Sequence, residues 1–333
     1  MSQTKIILED GSVFEGRAFG HVASVSGTVV FHTGMSGYPE LLTDPVMAGK
    51  ILVLTYPLAG NYGVPDRRTD SRGIARFLES ERIQVKGLIV YDYCRSHNHW
   101  AADSGLEEWM AEERIPGLTR VDTGALAKVL QKKGPLKGKI VPAGMWVEAK
   151  EKRWKEEVFE PIIIYEGRSD GRRILLVDCG VRHSLLRKLL EDGHTVVRVP
   201  RDYDFRTMEY DQVVISDGPG DPRTFTATLR HLKDVLQGSK PVTGTGLGHL
   251  LLGLAAGGRV VKMENDHRAH NVPVIDHRTG ACSITKQNHG YVLEKETLPE
   301  DWEVVCTHLE DGTIEGIAHV SGLYAGYQFD MNP

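Results

Sequence analysis

Residues 240–249 read Lys-Pro-Val-Thr-Gly-Thr-Gly-Leu-Gly-His, a short apolar strand that must turn at once into a helix. Residues 241–243 supply the strand. The apolar helical pattern runs from Leu247 to Ala256, and Gly257 and Gly258 close it. Glycines at 244 and 248 bracket the bend. A strand that turns this sharply behind paired glycines is a nucleophile elbow, which exposes one strained residue at the edge of a sheet. Here that residue is Gly246, which has no side chain with which to attack. The platform for covalent catalysis is present and its reagent is absent.

The surroundings of the elbow alternate between strand and helix, which argues for a parallel sheet covered by helices. From residue 173 onward the rhythm is that of such a fold. Strands are expected at 174–177, 195–199 and 213–215, and helices at 184–191 and 224–236, the last leading into the elbow strand. Beyond residue 258 the pattern turns β-rich. The first 145 residues have a different texture, with short strands at 6–8, 13–14, 28–32, 51–55 and 87–91. One clear amphipathic helix spans 123–133, with Leu126, Val129 and Leu130 on one face and lysines at its end. The fold class expected is therefore α/β: a β-rich N-terminal domain followed by a doubly wound, mainly parallel-sheet domain. The limits are 1–148 for the first domain, 149–172 for a linker and 173–333 for the second. The charged run 148–157 reads as a solvated helix face or linker.

With 333 residues, two domains fit the usual size of about 150 residues each. A net charge of −5 with scattered basic residues gives no footprint for nucleic acid or for an acidic membrane surface. No apolar run is long enough to span a bilayer, and the first residues lack the apolar core of a signal peptide, so a cytoplasmic protein is expected. The four cysteines, Cys94, Cys179, Cys282 and Cys306, are widely spaced and read as free thiols. The 14 histidines form no ligand pattern; the densest group, Asp266-His-Arg-Ala-His270, reads as structural or substrate-side, and no metal or cofactor is expected.

Several further strings fall in a telling order. The N-terminal half carries Leu8-Glu-Asp-Gly-Ser-Val-Phe-Glu-Gly16, Phe31-His-Thr-Gly-Met-Ser-Gly-Tyr-Pro-Glu-Leu-Leu-Thr-Asp-Pro45 and Leu54-Thr-Tyr-Pro-Leu-Ala-Gly-Asn-Tyr-Gly63. The C-terminal half carries Val177-Asp-Cys-Gly180, Ser216-Asp-Gly-Pro-Gly-Asp-Pro222, the elbow, Gln287-Asn-His-Gly-Tyr291 and Asp311-Gly-Thr-Ile-Glu-Gly316. On these strings the C-terminal half resembles the class I (triad) glutamine amidotransferases, with a glutaminase-like domain. The whole chain resembles the small subunit of carbamoyl phosphate synthetase.

That resemblance implies a Cys-His-Glu triad that releases ammonia from glutamine for a large synthetase subunit, in arginine and pyrimidine synthesis. Carried over residue by residue, all three positions depart from it. The elbow cysteine falls on Gly246. The family's Gln-x-His-Pro-Glu string falls on Gln328-Phe-Asp-Met-Asn332, which puts Asp330 at the histidine and Asn332 at the glutamate. An aspartate with an ordinary pKa of ~3.9 is a poor proton shuttle near neutrality. Loss of the nucleophile alone costs on the order of 10⁶ in rate.

The implied glutamine pocket keeps Gly218, Gly220, Leu247, Asn288, Gly290 and Tyr291. It changes at Val46, where the family has a serine, and at Leu250, where it has a glutamine. Gly218 and Gly220 lack the lysine and spacing of a phosphate loop. Thr243, Thr245, Cys282 and His289 are poor substitutes for the lost nucleophile and base. The chain also stops short of the turn and helix that follow the glutamate position in active members. Three functions remain: a silent structural or regulatory subunit that docks on a large synthetase chain using free ammonia, a module that binds a small molecule weakly in the former glutamine pocket, or an active amidotransferase with displaced chemistry.

Overall fold

The computed structural model describes residues 3–144 and 162–329; the charged run 148–157, Asp330 and Asn332 lie outside them. The chain divides into two compact units, Met1–Lys155 and Glu156–Pro333.

The first unit runs β1 (Gln3–Leu8), β2 (Val13–Gly20), β3 (Val25–His32), α1 (Tyr38–Thr43), β4 (Lys50–Leu54), β5 (Val64–Pro65), β6 (Gly87–Val90), β7 (Ala102–Ser104), α2 (Leu106–Glu112), β8 (Pro116–Thr119), α3 (Thr123–Lys133) and β9 (Leu136–Pro142). Seven of these strands close into a barrel in the order β1-β2-β8-β6-β4-β3-β9. β4 and β6 are buried on both faces, and so read as continuous apolar runs rather than as alternations. Ile51, Val53 and Ile89 pack with Leu126 and Leu130 of α3. Leu52, Leu54, Leu88 and Val90 pack in a second cluster with Trp109 of α2. α3 begins where Asp122 accepts a hydrogen bond from the Ala125 amide, and it ends at Gly134.

In the second unit the order is β10 (Ile163–Tyr165), β11 (Arg173–Asp178), α4 (His183–Glu191), β12 (Thr195–Pro200), β13 (Gln212–Ile215), α5 (Thr226–Val235), β14 (Val242–Thr245), α6 (Leu247–Ala256), β15 (Val260–Asp276), β16 (Cys282–Leu293), β17 (Trp302–His308), β18 (Ile314–His319) and β19 (Tyr324–Tyr327). All thirteen strands and helices except α4, α5 and α6 join one ten-stranded sheet, β10-β12-β11-β13-β14-β19-β18-β17-β15-β16. Its centre, β12-β11-β13-β14-β19, is parallel. An antiparallel wing, β18-β17-β15-β16, extends it on one side. Ile163–Tyr165, expected in the connection, instead forms the antiparallel edge strand beside β12.

The elbow joins β14 to α6. Every residue of α6 except Leu254 and Ala256 is buried. A Cβ on Gly248 would lie 2.2 Å from the Ile215 carbonyl oxygen, and one on Gly244 2.4 Å from that of Gly248. The bracketing glycines are thus what lets helix and strand approach so closely.

Trp109 is fully buried, and its indole nitrogen donates to Glu113 Oε1 at 2.5 Å. Trp109→Ala is expected to destabilise the first unit by about 3–5 kcal/mol. Urea unfolding should show this as a lower midpoint; an unchanged midpoint would mean that α2 contributes little to the barrel.

Candidate functional site

The site begins with backbone geometry. Gly246 has φ 52° and ψ −114°, a region costly for any residue with a side chain. Its amide donates to the Tyr327 carbonyl of β19 at 2.9 Å, which holds the elbow against the sheet. The next amide, that of Leu247, opens α6 and has no partner within the helix. Together with the Gly218 amide, at the turn after β13, it points at a single spot beside Gly246.

Asp217 fills that spot. Its Oδ1 accepts from the amides of Gly218 and Leu247, both at 2.8 Å. Its Oδ2 accepts from Arg182 Nη2 at 3.0 Å. Both side chains of this ion pair are less than a fifth exposed. A Cβ at position 246 would sit 2.2 Å from the Asp217 carboxyl carbon. The space in which an elbow nucleophile and the oxyanion it creates would sit is therefore held by the chain's own carboxylate. Two convergent amides beside an elbow are what an oxyanion hole consists of. Hydrogen bonds to a charged group contribute roughly 1.5–3 kcal/mol each, so a substrate oxyanion would have to displace a well-anchored competitor.

A second carboxylate lies over Gly290. Asp266 pairs with Arg268 at 2.6 Å, with both side chains under a tenth exposed. A Cβ on Gly290 would meet Asp266 Oδ1 at 2.5 Å. Arg268 also donates to the Asn288 side-chain oxygen. Tyr291 is half-buried, its ring centroid 5.8 Å from the Arg223 guanidinium.

Sequence reasoning singled out Gly218, Gly246 and Leu247, and the fold brings these three together. Asn288 and Gly290 share the Asp266–Arg268 pair. Gly220 has φ 116° in the turn after Gly218. Leu250 packs into the core of the second unit. Val46 belongs to the first unit, where its side chain is buried and its amide donates to Asp44 Oδ1 at 2.9 Å. Sequence reasoning missed Asp217, Arg182 and Asp266 as occupants. The one available signal was an acidic residue immediately before the Gly218-Pro-Gly220 turn.

Other candidate reagents are engaged elsewhere. Thr243 Oγ1 accepts from Gln212 Nε2 at 3.1 Å. Burial drives the Cys179 thiol far above its ordinary pKa and pushes Cys306 up to about 11, so both stay protonated and inert. Cys282 is exposed, at the start of β16.

His267, from the dense Asp266–His270 stretch, lies among His289, His308, Asp311 and Glu315. Burial opposes charge on His267, but hydrogen bonds to Glu315 and Asp311 carry its pKa above the usual histidine value. Burial holds His289 well below that value and raises Glu315 above the usual carboxylate.

Gly246→Cys is expected to lower stability by about 1–3 kcal/mol, because the new side chain meets both backbone strain and Asp217. In an Asp217→Gly background the same change should cost less, a non-additivity of at least ~0.5 kcal/mol. Thermal unfolding of the double-mutant cycle measures it, and strict additivity would mean that Asp217 does not occupy the elbow.

Comparison with known proteins bears on the whole chain. The carbamoyl-phosphate synthase small chain, CPSase domain, matches residues 6–140, and glutamine amidotransferase class-I matches 175–329. A carbamoyl phosphate synthase arginine-specific small chain of Phaeosphaeria nodorum is 38% identical, over 97% of this chain and 70% of its own length. The human mitochondrial carbamoyl-phosphate synthase [ammonia] is also 38% identical over 97% of this chain, but the chain spans only 22% of its length. A solved glutamine amidotransferase from Thermotoga maritima aligns with a TM-score of 0.41 and 18% identity, over 47% of this chain and 75% of that one.

Proposed function

The chain belongs to the carbamoyl-phosphate synthase small-chain family, and from that premise we propose that it is a catalytically silent small chain, a structural or regulatory subunit for a synthase large chain that works with free ammonia. The observation that carries this reading is Asp217 seated on the Gly218 and Leu247 amides beside a side-chain-free Gly246. Glutamine hydrolysis needs an attacking thiolate and a hole for the oxyanion. Here the attacking atom is missing and the hole is filled. Asp330 and Asn332, at the positions of the family's base and its orienting acid, compound the loss.

Docking is supported by the N-terminal half. It matches the small-chain family over 6–140 and keeps its motif strings, although the elbow has lost its chemistry. A region of 38% identity also lies within a human protein whose name gives ammonia as its nitrogen source. A small-chain-like region and ammonia use thus coexist in one relative. No observation favours the ligand-binding module in the same way, since carboxylates cover both Gly246 and Gly290 and Leu250 is packed in the core.

The test is glutamate release from glutamine by the purified protein, alone and with a synthase large chain, ATP and bicarbonate, with ammonia supplied in parallel. The expected result is no glutamate in either mixture, stable association with the large chain, and an altered rate of ammonia-dependent carbamoyl phosphate formation. Glutamate at a rate near that of a working small chain would overturn the reading, as would failure to bind any large chain.

A further inference from the structure

Within the second unit, two imidazole nitrogens, an amide oxygen and a carboxylate converge on one buried place. His267 of β15 and His289 of β16 are direct cross-strand partners. Their rings stand nearly perpendicular, with centroids 5.0 Å apart. The outer nitrogen of each is committed: His267 Nε2 lies 2.8 Å from Asp311 Oδ2, and His289 Nδ1 lies 3.1 Å from the Tyr291 carbonyl oxygen. Both partners only accept, so each of these nitrogens carries a proton when it is bonded to them. The inner nitrogens, His267 Nδ1 and His289 Nε2, face Gln287 Oε1 at 3.1 and 2.9 Å. They also face the Glu315 carboxylate, with His267 Nδ1 3.4 Å from Oε1 and His289 Nε2 3.7 Å from Oε2.

Turning the Gln287 amide over does not relieve this. The Thr285 hydroxyl spends its only hydrogen on the Val272 carbonyl oxygen at 3.0 Å. It must then accept from Gln287 Nε2, 3.1 Å away, which fixes the amide oxygen toward the histidines. Glu315 is fully buried, and its Oε2 has no hydrogen-bond partner among the described residues. A buried carboxylate with an unsatisfied oxygen calls for a positive partner, and either a protonated His267 or a cation held between these four groups supplies one.

The separations lie around those of a tetrahedral ion's ligands. Zinc ligands at about 2.0–2.2 Å from the metal lie roughly 3.3–3.6 Å from one another, and the four separations here run from 2.9 to 3.7 Å. The outer contacts have the form that metal-bound histidines adopt, in which the distal N–H is held by a carboxylate or a backbone carbonyl. Here those are Asp311 and the Tyr291 carbonyl. His308 fits less well as a ligand, because its Nδ1 already accepts from the amides of Glu310 and Asp311 at 3.2 Å.

We propose that His267 Nδ1, His289 Nε2, Gln287 Oε1 and Glu315 form a closed, structural site for a divalent transition metal of the zinc class. The donor set, two imidazoles with oxygens, suits that class rather than magnesium or calcium. The ion would tie the β15–β16 hairpin, which carries Asn288, Gly290 and Tyr291, to β18. It does not depend on whether the elbow is silent.

Chelator-treated protein is titrated with Zn²⁺ against a chromophoric competitor at pH 7.5. One ion per chain is expected. Glu315→Gln and His289→Ala should weaken binding on the order of 100-fold. The double change of the exposed His97 and His99 to glutamine should leave it unaltered. X-ray absorption at the zinc edge of the unaltered protein reads the ligands without any substitution: two imidazole nitrogens and oxygens at about 2.0–2.2 Å. Absence of stoichiometric zinc, a shell with fewer than two imidazoles, or binding that survives in Glu315→Gln and disappears with His97 and His99 would each overturn the proposal.

Discussion

Two backbone amides pointing at one place create a local demand for negative charge, and the second unit is arranged around how that demand is met. The Leu247 amide has no helical acceptor because it opens α6, and the Gly218 amide is turned toward it by the loop after β13. Left bare, the pair would form a small anion site. Asp217 satisfies both, and Arg182 neutralises what Asp217 brings. The strained backbone at Gly246 belongs to the same arrangement, since only a residue without Cβ leaves room for the carboxylate. Strain of this kind usually persists because it serves chemistry. Here strand, helix and turn also pack closely around it.

The regular elements were largely legible in the sequence, each through a local signal. The α3 and α6 limits follow from capping and periodicity: Asp122 and Gly134 bound one helix, and Gly246 and Gly257 the other. β11 and β13 stand out as apolar runs because the parallel sheet buries them on both faces. Ile163–Tyr165 was hidden because three residues in a charged neighbourhood carry no period. The antiparallel wing appeared only as β-rich texture, since which strands pair is a long-range matter.

The candidate site was legible in its backbone and illegible in its occupants. The elbow could be placed to the residue because glycine spacing is local. Asp217 could not, because an aspartate in a turn looks the same whether it faces water or a helix N-terminus. The histidine cluster was hidden for a similar reason: His267, Gln287, His289 and Glu315 come from three strands with no fixed spacing. β15 and β16 pair with an irregular register between Lys262 and His267, and β18 brings Glu315 beside them.

β19 has a consequence for the order in which this unit is built. Among the described residues it is the only strand that bonds both β14 of the parallel centre and β18 of the antiparallel wing. Among the described strands of the sheet it is the last in sequence order. Until residues 324–327 insert, the two halves of the sheet have no common edge, and the Gly246 amide lacks its Tyr327 acceptor. During translation β14 therefore waits with one edge unpaired while more than seventy further residues are made, and such edges attract other chains. The elbow's Gly246 amide gains its acceptor only once β19 is in place.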